Sequence, residues 1–226
     1  MGMKGKVALG AVVGIVVIGA VSANSGDDSS DSTSSDKGSS SSAQAKTGGE
    51  KEAAQAAEEK KIAFEGDGDF EVGSDIKPGT YRTTGNDDGM CYWERAKDSS
   101  GEMDSLLAND NVTGSSYVTV KASDKLFKSS DCNDWEAVDT KTKGSPAARM
   151  SGDGGMFRVG ADIAPGTYKS TGNEDDMCYW ERTKDAEHGL DSIIANDNVT
   201  GSAIVTISAS DTYFKTSGCT DWKKTG

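Results

Sequence analysis

The strongest constraint in this chain is a duplication. The segment from Phe70 to Trp135 returns from Phe157 to Trp222 at a constant offset of 87 positions, without a gap and with roughly two thirds of the residues identical. A repeat that tolerates no insertion even in its turns has to be one packed unit made twice, so each half is expected to fold independently. The chain has 226 residues, and the repeating part divides into units of about 70 to 75. A domain of that size buries only about 60% of the surface its unfolded chain exposes, and it ordinarily needs a staple.

Four cysteines are available for that staple. Cys91 corresponds to Cys178 and Cys132 to Cys219, one pair per copy at equal spacing. Pairing within each copy is the simplest reading; closing a loop of about 42 residues removes on the order of 4 kcal/mol of denatured-chain entropy. Exchanged or intermolecular bridges and free thiols stay open as alternatives. A zinc site fits less well, because there is no C-x-x-C knuckle and the only histidine, His188, stands where the first copy has Gly101. No metal and no cofactor is expected.

Disulfides require an oxidising compartment, and the N-terminus supplies an address. Lys4 and Lys6 precede an uncharged run from Val7 to Ala23, an export signal that is either cleaved near Val21-Ser22-Ala23 or kept as a membrane anchor. Residues 1–23 are therefore read as signal peptide or anchor, and everything after Asn24 as extracytoplasmic. Residues 24–63 form a Ser-rich stalk, disordered for want of apolar residues, with a short exposed helix over EKEAAQAAEEKKIA. The first β repeat is placed at 64–138, a linker containing Gly144-Ser145-Pro146 at 139–151, and the second repeat at 152–226.

Charge narrows the partners. Residues 66–138 hold 15 acidic and 7 basic side chains and residues 152–226 hold 12 and 7, so the repeats carry the whole net charge of −13. Acidic modules without a basic stripe repel nucleic acid and anionic lipid. A cell-wall or envelope component, glycan or protein, remains a possible partner, and the membrane is met only through an uncleaved N-terminal segment.

Inside a repeat the signals are strands and turns. Pro78-Gly79 and Pro165-Gly166 suit a type II turn. Thr80-Tyr81-Arg82-Thr83 reads as a strand that Gly85-Asn86-Asp87-Asp88 breaks before Cys91-Tyr92-Trp93-Glu94-Arg95. Alternation sets Cys91, Trp93 and Arg95 on one face and Tyr92 and Glu94 on the other. Val118 and Val120, matched by Val205 and Ile207, keep an apolar face, while the opposite face exchanges Tyr117 for Ile204. The Ala-Asn-Asp-Asn-Val-Thr-Gly segments that hold Asn109-Asp110-Asn111 and Asn196-Asp197-Asn198 read as one short turn of helix or a bulged strand ending in a loop. The fold class is all-β: two tandem antiparallel β-sandwiches or open barrels of about five to seven short strands each, one disulfide apiece.

VGSDIKPGTYRTTG, CYWER, LLANDNVTG, YVTVKASD and the closing C-x-D-W, each with its second copy, resemble a family of exported actinobacterial repeat proteins and lipoproteins. The resemblance implies secreted repeat domains without an established biochemical activity. Many such proteins are lipid-anchored, and no lipobox cysteine follows the apolar run here.

The chemistry of the side chains points away from catalysis. A nucleophilic triad needs a base, and the single histidine is absent from one copy. Paired carboxylates are abundant, yet a 70-residue sandwich has little room for a water-excluding cleft. The chain is therefore read as a non-enzyme. Candidate contact residues are Tyr92, Glu94, Tyr179 and Glu181 on the solvent face of the CYWER strands, and Asn109, Asp110, Asn196 and Asp197 in the acidic loops. The expected function is an envelope-associated tandem binding module, in which two linked sites gain avidity when both engage. The alternative is a structural spacer or a surface-exclusion protein of possible phage origin.

Overall fold

The computed structural model describes residues 62–226; the expected signal peptide or anchor and all but the last two residues of the expected stalk lie outside the described residues. Each repeat contributes six strands. In repeat 1 these are β1 (Ile62–Phe64), β2 (Gly68–Glu71), β3 (Gly79–Ala96), β4 (Leu106–Val120), β5 (Leu126–Ser130) and β6 (Trp135–Ala137). Repeat 2 follows with β7 (Arg149–Met150), β8 (Gly155–Arg158), β9 (Gly166–Thr183), β10 (Ile193–Ile207), β11 (Tyr213–Ser217) and β12 (Trp222–Lys224). β1 begins ahead of the boundary expected at 64, and β7 draws Arg149 and Met150 out of the segment read as linker.

The organising element is a long hairpin. β3 and β4 pair antiparallel from Gly79↔Val120 to Ala96↔Leu106, with register shifts on both sides of Asn86. The segment Gly85–Asp88, expected to break the strand, instead carries it through as a bulged bend, which is how a sheet turns a corner without losing its ladder. Gly85 and Gly89 take φ of 79° and 68° there, a region closed to most side chains. Asn109-Asp110-Asn111, in the segment read as a short turn of helix or a bulged strand ending in a loop, are β4 residues opposite Glu94, Trp93 and Tyr92, so the strand alternative is the one observed. Local Asn/Asp turn chemistry lost to a complete cross-strand ladder. The Pro78-Gly79 turn is likewise displaced: the hydrogen-bonded turn covers Gly73-Ser74-Asp75, with the Asp75 carboxylate accepting from the Glu71 amide at 2.8 Å, and Gly79 opens β3.

Bending the hairpin lays its two halves over one another. β6 and β1 extend the first half, and β5 and β2 extend the second. Between them lies an aromatic core of Phe64, Tyr81, Trp93, Phe127 and Trp135 with Val118 and Val120. Phe64 meets Tyr81 at 4.9 Å and Phe127 meets Trp135 at 5.2 Å, both edge-on, as the ring quadrupoles favour. The Trp135 indole N–H donates to Ser129 Oγ at 2.9 Å, and that hydroxyl donates to the Gly66 carbonyl. Repeat 2 rebuilds this with Trp222, Thr216 and Gly152, and Met150 joins the core in place of an aromatic ring.

Two devices hold the bend shut. Cys91–Cys132 and Cys178–Cys219 are bridged, each within its own repeat. Beside the first, buried Asn86 donates to the Gly114 carbonyl at 3.0 Å and accepts from the Asn133 amide at 2.8 Å, joining the bend, β4 and the cysteine loop. Asn173 does the same for Gly201 and Thr220. Removing that amide orphans buried backbone groups, so Asn86→Ala should lower stability by about 2 kcal/mol in equilibrium urea unfolding; a change below about 0.5 kcal/mol would mean the disulfide alone fixes the bend.

The repeats are not separate bodies on a flexible linker. Tyr117, Met156, Ala186 and Tyr213 form a third buried cluster made by both halves. The Thr119 amide donates to the Ala186 carbonyl at 2.7 Å and the Ser115 amide to the Gly154 carbonyl at 3.0 Å. Lys215 Nζ meets the Asp110 carboxylate at 2.6 Å. Tyr117 Oη donates to Asp162 at 2.7 Å, and the Arg82 guanidinium stands over the Tyr117 ring. The backbones touch where a Cβ on Gly155 would fall 2.1 Å from the Ser115 carbonyl oxygen. The expected linker is itself tied down, since Arg158 donates to the Asp139 and Thr142 carbonyls.

His188 closes this seam. It stands at φ 58°, where repeat 1 has Gly101 at 71°, so a bulky residue takes a left-handed conformation. Its Nε2–H donates to the Tyr117 carbonyl at 2.8 Å and its ring meets Trp93 edge-on at 4.7 Å. Burial, then the Lys215 ammonium, hold the imidazole below its ordinary value against the opposing pull of Asp110, the Tyr117 carbonyl and Glu181. A depressed folded value favours the neutral ring. Its contribution is therefore complete above the unfolded value of about 6.5 and is lost as pH falls below that. The wild-type minus His188→Gln difference in unfolding free energy should shrink from pH 7.5 to pH 5; a difference that grows on acidification would overturn the assignment.

Candidate functional site: a groove on the first repeat

The CYWER strand sorts its side chains by alternation. Cys91, Trp93 and Arg95 point inward and Tyr92 and Glu94 outward. Arg95 is inside because Asp124 neutralises it: Nε and Nη2 reach the two carboxylate oxygens at 2.6 and 3.1 Å, a bidentate pair with both side chains nearly inaccessible. Its remaining nitrogen, Nη1, donates across the seam to the Glu187 carbonyl at 2.8 Å. Asp124 also accepts from the Lys121 amide. Sequence reasoning missed this pair, although Asp124 and Asp211 recur in both copies of A-S-D and were the available signal. Arg182 and Asp211 repeat it at 2.6 and 2.9 Å.

On the outward side, Tyr92, Glu94 and Asn109 line one groove of about 330 Å³ together with Asp69, Leu126 and Lys128. Tyr92 Oη donates to Glu94 Oε2 at 2.7 Å. Desolvation first, then the Glu94 hydrogen bond and charge, push the phenol up to about 12, so the donor stays protonated at any physiological pH. The groove thus offers a neutral hydroxyl, four carboxylates (Asp69, Glu94, Asp98 and Glu102), one ammonium and apolar carbon. Three of the expected contact residues meet here. The fourth from this repeat, Asp110, alternates to the neighbouring surface and is engaged by Lys215.

Repeat 2 has the same residues with a different outcome. Tyr179 Oη donates to Glu181 Oε2 at 2.7 Å, and desolvation with Glu181 raises this phenol too. Glu181, however, is buried, and the corresponding hollow shrinks to about 130 Å³, with Met156, His188 and repeat 1's Asn109 in its wall. Tyr179 instead lines a small cleft of about 90 Å³ beside Asp110 and Gly155. The two sites expected to act in parallel are one wide groove and one narrowed by the neighbouring repeat. Asn196 and Asp197 lie exposed on β10, Asn196 donating to Tyr179 Oη at 3.3 Å, and are not joined to Glu181's hollow. Among the described residues no cluster of three or more His, Cys, Asp or Glu side chains is arranged to hold a metal ion.

The comparisons agree with this tandem architecture. No curated protein and no solved structure matches the chain. The model of one family does, once over residues 62–136 and again over 148–223, so its unit coincides with the six-strand repeat, the first match from the first residue of β1 and the second taking in β7. The description of that family is of an extracellular domain, which places the repeats outside the cytoplasmic membrane, where their two disulfides are stable. With two matches that together span most of its length, the chain belongs to the Rv1352-like extracellular domain family.

Proposed function

We propose that the protein is a non-enzymatic interaction module of the cell envelope, which holds a protein or glycan partner in the groove beside Tyr92 and Glu94. The observation that carries this reading is internal to the fold. The surface of repeat 2 that corresponds to the groove rim already performs recognition, gripping repeat 1 through Met156, Ala186, His188, Tyr213 and Lys215. A surface used once for protein contact and left open in the other copy is suited to a second partner. The groove also suits contact better than chemistry. Desolvation first, and then Glu94, hold Tyr92 protonated, and His188, the one imidazole, is engaged with the Tyr117 carbonyl and Trp93 and does not line the groove.

The structure's asymmetry makes the proposal testable. Purified protein is incubated with envelope fractions of the producing cell, and the retained portion is measured. Tyr92→Ala combined with Glu94→Gln should reduce retention about tenfold, whereas Tyr179→Phe, in the covered copy, should leave it within about twofold. Equal effects from both repeats, or none from the Tyr92/Glu94 variant, would remove the groove from consideration.

A further inference from the structure

The seam between the repeats joins two unlike surfaces, and each surface has a counterpart at the far end of the chain. Repeat 1 offers Arg82, Ser115, Tyr117 and Thr119 from the outer face of its hairpin, together with Asp110, the cross-strand partner of Trp93. The same positions of repeat 2 are Lys169, Asp197, Ser202, Ile204 and Thr206, all exposed, Ile204 at 66% where Tyr117 is at 2%. Repeat 2 offers Met156, Asp162, Ala186, Tyr213 and Lys215, and the same positions of repeat 1 are Asp69, Asp75, Ser99, Leu126 and Lys128. Four of those five line or flank the open groove.

We propose that the protein associates with itself head to tail, the β10 face of one copy seating in the repeat 1 groove of the next. This rests on the groove being a contact surface and names its occupant. Charge complementarity survives at the open ends. Asp110 with Lys215 becomes Asp197 with Lys128, and Arg82 with Asp162 becomes Lys169 with Asp75, each pair keeping its signs. None of these four end residues is in an ion pair among the described residues. The backbone contacts need no particular side chain: the outward amides of Ser202 and Thr206 stand where those of Ser115 and Thr119 donate across the seam. Gly114 comes against the Gly154 backbone and Gly155 against the carbonyls of Thr113 and Ser115; Gly114 and Gly155 are repeated as Gly201 and Gly68, Gly154 is replaced by Asp67, and a Cβ on Gly201 would have nothing within 4 Å.

Further side chains of repeat 2 are uncovered in the way a missing neighbour predicts. Trp93 is fully buried with His188 against it, while Trp180 is only half-buried. The Arg95 side chain is 4% accessible and donates to Glu187, whereas that of Arg182 is 21% accessible with the same Asp partner. The end-to-end contact is weaker than the seam, because Asp69 replaces Met156 and Gly101 replaces His188, and the net charge of −13 per copy opposes stacking. A heterologous contact of this kind does not close on itself unless its rotation makes a ring, so it adds copies one at a time.

The test is sedimentation equilibrium of the full chain in density-matched detergent at physiological salt. Average mass should rise with concentration beyond the monomer. Lys128→Asp and Asp197→Lys should each weaken the association about tenfold or more by placing like charges in contact. An equimolar mixture of these two variants should recover it, since each reversed group then finds an opposite one on the other variant. Ile204→Lys should abolish it without altering envelope retention through Tyr92 and Glu94. A wild-type mass that stays monomeric, or single variants that the mixture does not rescue, would overturn self-association. If the Tyr92/Glu94 variant still lost envelope retention in that case, the groove reading would stand and only its occupant would be wrong.

Discussion

The seam at Tyr117 decides what the two repeats can do. Each repeat has its own aromatic core and its own disulfide, so neither needs the other to bury Trp135 or Phe214. What the seam adds is direction. Tyr117 fills a space lined by Met156, Ala186 and Tyr213, and the flanking amides of Ser115 and Thr119 find acceptors only on the partner repeat. Two copies of one sequence segment are thereby made inequivalent, one with a wide groove and one with that hollow narrowed by its neighbour, one with its hairpin face covered and one with that face bare.

Duplication followed by a few substitutions accounts for this physically. The bent hairpin, the pinning asparagine, the buried Arg–Asp pair and the tryptophan–hydroxyl closure are alike in both halves, because they hold each half together. The differences concentrate where the halves meet. Asp69 gives way to Met156, Ser99 to Ala186 and Leu126 to Tyr213, which on the gripping side removes a charge, removes a hydroxyl and adds a ring in turn. Gly101 gives way to His188, which accepts a left-handed backbone in exchange for a hydrogen bond and a ring contact.

Much of the fold could be read from the chain. Equal cysteine spacing gave the bridges, alternation in CYWER separated Trp93 from Tyr92, and Val118 with Val120 marked the core face. The failures share a cause. Gly85–Asp88 and Asn109–Asn111 carry strong turn chemistry, but the hairpin pairs on both sides of the first, where Asn86 alone keeps a partner, and pairs fully through the second, and a ladder of that length outweighs local preference. Tyr92 and Glu94 were placed correctly on the solvent face, while Tyr179 and Glu181 were assumed equivalent to them. Identity between copies hides context: Asp110 and Asp197 are the same residue at the same position, yet only Asp110 has Lys215 against it. The legible signal lay in the non-identical positions, above all Tyr117 against Ile204 and His188 against Gly101, each noticed singly but not as one surface.

Amide hydrogen exchange on the dilute full chain tests the seam most directly, because it compares the same position in both halves. Ser115 and Thr119 donate across the seam, and Ser202 and Thr206 stand at the corresponding positions on the bare face. Exchange at Ser115 and Thr119 should be slower than at Ser202 and Thr206 by on the order of a hundredfold, the protection that an opening free energy of about 3 kcal/mol confers. Equal rates in the two pairs would mean that the repeats move independently and that the asymmetry of groove and face does not exist in solution.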